Sequence, residues 1–73
     1  MNMNDYQRIS CADHSTFELA IMRAQSMRVE INAELVSIKP IDLITKKGAE
    51  FLVFINQQNQ QQTLRVDQVS ILR

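Results

Sequence analysis

Glycine, proline, cysteine and histidine each occur once in these 73 residues, and tryptophan is absent. Each scarcity removes a class of function. A lone Cys11 rules out an intramolecular disulfide and a cysteine-based zinc site. A lone His14 has no second imidazole and no paired nucleophile, so it is weak evidence for metal binding or catalysis. One glycine leaves no glycine-rich loop to cradle a phosphate, and no pair of carboxylates or Ser/His/Asp set stands at a catalytic spacing. No enzymatic activity, cofactor or metal is expected. Eight basic and eight acidic residues cancel, which argues against a general electrostatic footprint for nucleic acid or membrane. No apolar run approaches the roughly 20 residues of a transmembrane helix, and the opening MNMNDYQR does not read as a signal peptide. A cytoplasmic protein of one domain, residues 1–73, is expected. A chain this short buries only about 60% of its unfolded surface.

What is present centres on Phe51-Leu52-Val53-Phe54-Ile55, five apolar residues just beyond the single glycine. The run is too short for a helix core and reads as a strand buried on both faces. Period-2 geometry sends Phe51, Val53 and Ile55 to one side and Leu52 and Phe54 to the other. Ahead of it lies the turn Thr45-Lys46-Lys47-Gly48, where Gly48 suits a positive φ. On turn chemistry alone these lysines are simply solvated.

The remaining chain arranges itself around that strand. Residues 1–8 are polar and expected to fray, with Tyr6 and Ile9 the first groups able to anchor the arm. Cys11 reads as a small buried hydrophobe or a reactive thiol, and no cationic partner beside it favours the second. Ser15-Thr16-Phe17-Glu18 has the capping-box pattern, predicting a helix over about 15–25 with Phe17, Ile21 and Ala24 on its buried stripe. From Met27 the period falls to 2: Met27, Val29 and Ile31 alternate with Arg28 and Glu30. Asn32-Ala33 is a short connection. Leu35–Ile38 resumes the β pattern, Pro40 marks an edge, bulge or bend, and Ile41–Thr45 continues as one long bent strand. Asn56–Gln62, seven consecutive amides, reads as a solvated hairpin loop, although such runs also occur in recognition surfaces and aggregating tracts. Thr63–Val66 and Val69–Ile71 alternate again, and the apolar phase slips at Asp67-Gln68, marking a tight corner. The expected class is a β-rich α+β domain, one helix followed by five short antiparallel strands, with Phe17, Ile21, Val29, Ile31, Val53 and Leu64 in the core.

That order of elements resembles the Sm-like open barrel. More narrowly, the sequence resembles the Rho-binding antiterminator (Rof-like) family of bacteria. The resemblance rests on Tyr6-Gln7, Ile9, Cys11, Asp13 and Glu18-Leu19-Ala20. It continues through Asp42-Leu43, Lys47, Glu50, Leu52-Val53, Leu64-Arg65 and Asp67. The family implies a small protein that binds the N-terminal RNA-binding domain of the transcription termination factor Rho, a ring-shaped helicase. It keeps RNA from loading at Rho's primary sites and so suppresses termination. It implies no direct nucleic-acid ligand and a monomer when free. Carried over by position, the partner-binding residues are Asp13, His14, Ser15 and Glu18 on the helix and its approach. Lys46, Lys47 and Glu50 supply the second piece, at the turn before the third strand.

The sequence departs from the family pattern at several positions. Ala12 and Ser15 stand where carboxylates are usual, His14 where tyrosine is usual, and Asn32-Ala33 replaces a glycine-containing turn. A charge split accompanies the pattern: residues 1–20 hold three acids against one arginine, and residues 39–47 hold three lysines against one aspartate. The competing expectation is an Sm-like RNA-binding ring protein. Against it, Arg65-Val66 stands where those proteins carry an Arg-Gly step, and zero net charge suits RNA poorly.

Overall fold

A computed structural model describes residues 11–72, with Cys11 described by its backbone alone. The anchoring roles expected of Tyr6 and Ile9, the fraying of residues 1–8 and the burial of the Cys11 side chain lie outside the described residues. The order is α1 (Cys11–Arg23), β1 (Met27–Ile31), β2 (Glu34–Lys46), β3 (Ala49–Ile55) and β4 (Gln61–Arg65). A 3-10 turn (Val66–Gln68) and β5 (Ser70–Ile71) follow. The strands form one antiparallel sheet in the order β4-β3-β2-β1-β5, which does not close on itself.

The helix already includes Cys11, four residues before the capping box. Ser15 is therefore an exposed interior residue rather than the N-cap, and Glu18 does not reach back to it. Nothing between Cys11 and Ser15 breaks a helix, and Asp13 falls in the first turn, where the helix dipole favours a negative charge. Thr16 Oγ1 donates to the Ala12 carbonyl at 2.9 Å, so its hydroxyl is satisfied inside the helix. At the other end Ala24 takes a left-handed conformation (φ 52°). Its N–H bonds the Ile21 carbonyl and the Gln25 N–H bonds the Ala20 carbonyl, at 3.2 and 3.0 Å, the paired contacts of a Schellman stop. Ala24 is thus an exposed cap, not a buried stripe residue. The face that packs carries Phe17 and Ala20, with Ile21 half-buried beside them.

β2 is the hinge of the sheet. Its first half pairs with β1, from Glu34 opposite Ile31 to Ile38 opposite Met27. Its second half pairs with β3, from Lys39 opposite Ile55 to Lys46 opposite Ala49, with a register slip between Pro40 and Asp42. Ile41 is the extra residue of that bulge. Before it, even-numbered residues such as Val36 and Ile38 face the core; after it, Leu43 does. Inserting one residue reverses the parity of a strand, and that reversal lets both halves bury their apolar side on one core.

The core gathers Phe17, Val29, Ile38, Leu52, Phe54, Val66 and Val69, with Ile31 and Leu64 packed against it while only partly buried. Of the residues expected in the core, Phe17, Val29 and Val53 are buried, whereas Ile21, Ile31 and Leu64 are half-buried because they sit at its margins. The two faces of β3 differ. Leu52 and Phe54 point inward and are sealed, and on the outer face Ala49 and Val53 are shielded by neighbours while Phe51 and Ile55 stay half-exposed.

Two hairpin turns depend on left-handed backbone. Asn32 and Ala33 (φ 53° and 64°), and Lys47 and Gly48 (φ 51° and 81°), form two-residue hairpin loops of the type I′ kind. The amide-rich loop is shorter than its sequence suggests: Gln61 and Gln62 belong to β4, opposite Ile55 and Phe54. Asn56 organises the rest, its Oδ1 accepting the N–H groups of Gln58 and Gln60 at 2.9 Å each.

Two outcomes test this architecture. Phe17→Ala removes the side chain by which α1 fills the core and is expected to cost about 3–5 kcal/mol in chemical denaturation; an unchanged midpoint would refute the packing. Ala33→Gly removes a Cβ from a left-handed turn position and is expected to stabilise by about 0.5–1 kcal/mol. Thermal melting should then rise by several degrees, and a fall would contradict the turn geometry.

Candidate partner-binding site

Three of the seven candidate residues meet. His14, in the second turn of α1, extends Nε2 toward Glu50 Oε2 of β3 at 3.1 Å. Its Nδ1 lies 3.5 Å from Glu18 Oε1, one helical turn further on. The i,i+4 spacing places Glu18 beside His14 on the helix surface. Glu50 arrives from β3 because residues of even number there point to the helix side of the sheet. An ionised carboxylate only accepts, so Nε2–H must donate to Glu50; serving Glu18 as well takes a ring protonated on both nitrogens. The two ring nitrogens point apart, so the carboxylates they hold cannot converge on one ion. Among the described residues no group of acids, histidines and cysteines could hold a metal.

The other candidates lie around this clasp or behind it. Asp13 is half-buried in the first turn of α1, and Ser15 is exposed. Lys46 and Lys47 are exposed at the tip of the β2–β3 hairpin. Lys46 pairs with Ala49, one residue before Glu50, so it projects to the opposite face of the sheet. The second piece expected from the resemblance, Lys46, Lys47 and Glu50, is therefore divided: the carboxylate joins the helix, and Lys46 does not.

On that outer face Lys46 and Lys47 border a shallow depression of about 530 Å³ with Ala49, Phe51 and Arg65. Arg65 sits directly opposite Phe51, and its Nε lies 3.2 Å from Asp67 Oδ1. Sequence reasoning passed over Phe51 and Arg65 as surface groups. Parity along β3 does put Phe51 on the face of Lys46, but Arg65 joins them only through the β3–β4 register, which the amide run conceals. A second depression, about 540 Å³, opens at the far end of the sheet over Ile38 and Phe54. Amides such as Asn56, Gln58 and Gln62 form much of its rim, with Glu34 the one charged residue among its lining.

No family model, curated protein or solved structure matches the chain. No helix among the described residues is long and apolar enough to cross a membrane.

The clasp generates a ranked expectation. Glu50→Ala should cost about 0.5–1 kcal/mol and Glu18→Ala less, because the Glu18 contact is longer and more exposed. A double-mutant cycle of His14 with each acid reads the ranking directly. Equal coupling of both acids, or none with Glu50, would contradict the geometry.

Proposed function

We propose that this protein is a Rho-binding antiterminator of the Rof-like kind, built on an Sm-like open barrel. The observation that carries the reading is the convergence of His14, Glu18 and Glu50 on the helix side of a hairpin tip whose other side carries Lys46 and Lys47. The residue pattern that resembles the Rof-like family assigns partner contact to these positions, which lie far apart in sequence. Support also comes from the element order: a helix, a long bulged second strand and a tight corner before the fifth. The mechanism is competition. Rho's primary RNA site is a basic, base-stacking groove, and a folded protein seated beside it denies the groove to a single strand. Asp13 and the exposed carboxylate of Glu18 would answer the groove's cations, while Lys47, presented by the hairpin turn, would meet carboxylates or carbonyls nearby.

A second reading, an Sm-like RNA-binding ring, is favoured by one feature. Among the described residues β4 pairs only with β3 and β5 only with β1, so both sheet edges are open to another copy.

The two separate in a displacement experiment, in which the protein is titrated into Rho loaded with a fluorescent oligocytidine. Wild type is expected to release the oligocytidine. Glu18→Lys should slow association in a salt-dependent way, and Lys47→Ala should speed dissociation. If wild type binds the oligocytidine itself and leaves Rho loaded, the ring reading replaces this one.

A further inference from the structure

The outer face of the hairpin tip is not used by the His14 clasp, and its chemistry is different. Phe51 forms a half-exposed apolar floor with Ala49, and Lys46 and Lys47 border it. Among the described residues no carboxylate lies within ion-pair distance of either lysine, whereas Arg65 is engaged by Asp67 and serves as a wall. Lys47 is held at the rim by a left-handed turn that needs Gly48 for its backbone angle and not for space, since a Cβ there would meet nothing. The cationic strip is short. In the next row of this face the cross-strand residues are Asp42, Val53 and Thr63, and Asp42 places a negative charge where a longer polyanion would continue. A single nucleic-acid strand is gripped by a basic groove that follows several phosphates, and none runs here.

We propose that this depression is a docking site for an acidic peptide segment of a protein partner. One apolar or aromatic side chain of the segment lies on Phe51, and flanking Asp or Glu carboxylates pair with Lys46 and Lys47. Partial desolvation over the apolar floor strengthens those pairs relative to freely exposed ones. The site shares Lys47 with the Rho reading, but its apolar floor lies on the face opposite the His14 clasp and its ligand is defined by chemistry alone.

The test omits Rho altogether. The isotope-labelled full chain is titrated with a short synthetic peptide of Asp and Glu flanking one Phe, and amide shifts are followed by NMR. Saturable shifts are expected around Lys46–Phe51 and at Arg65. Replacing the peptide's acids by Asn and Gln should weaken binding about tenfold or more at low salt, as should Lys46→Glu with Lys47→Glu together. Lys39→Glu, exposed at the far end of the same face, should leave binding unchanged, and the spectra of all variants report whether the fold persists. Oligocytidine and a second copy of the chain are the remaining arms. No saturable shift, equal binding of the amide peptide, shifts confined to α1, or tighter binding of oligocytidine or of the chain itself at this depression would each overturn the proposal.

Discussion

One strand serves two neighbours, and the register slip within it is the constraint on which the domain depends. β2 gives its first half to β1 and its second to β3, and the extra residue Ile41 lies between the two registers. Were Ile41 paired as an ordinary residue, with no slip, Leu43 would point outward and Asp42 inward, setting a carboxylate against the core. Pro40 fits this place because it has no N–H to lose from a ladder already interrupted. Phe17 then closes the space the bend creates, which is why an exposed helix of this length holds its shape at all: a short helix is marginal in water until one face is packed.

Most of the architecture was legible because it rests on short-range patterning. The change of period at Met27, the lone proline and the phase slip between Val66 and Val69 each mark a boundary that the structure keeps. Misreadings cluster where residues sit outside their usual conformations. The Ser15–Glu18 pattern imitates a helix start, but the polar residues before it join the helix. Ala24 and Ala33 occupy left-handed positions normally given to glycine, so neither announced the cap or the turn in full. Gln61 and Gln62 are poor strand formers recruited by pairing with Phe54 and Ile55, a tertiary effect that local propensity does not contain.

The candidate site divides along the same line. The His14–Glu18 contact follows from helical spacing, so it was accessible from the sequence. Glu50 as the third member required knowing which face of β3 the helix covers. The separation of Glu50 from Lys46 follows from strand parity once the tip of the hairpin is placed at Lys47-Gly48. At the hairpin tip, charges that cancel in the whole chain are thus sorted across a sheet one layer thick, Glu50 to the helix side and Lys46 to the other.

The two-residue β5 has a consequence for how the chain reaches and leaves its native state. Its only described strand partner is β1, from the opposite end of the described sequence, so its pairing closes the longest loop in the sheet and gains few ladder bonds in return. The hairpins β1–β2, β2–β3 and β3–β4 all close locally and need no such search. Loop-closure entropy therefore assigns β5 to a late step of assembly, after the bend in β2 is set. By the same logic it is the first seam to open in native fluctuations. Each such opening would uncover the backbone of Val29 and Glu30 on β1 while α1, the hairpin tip and the bend remain in place.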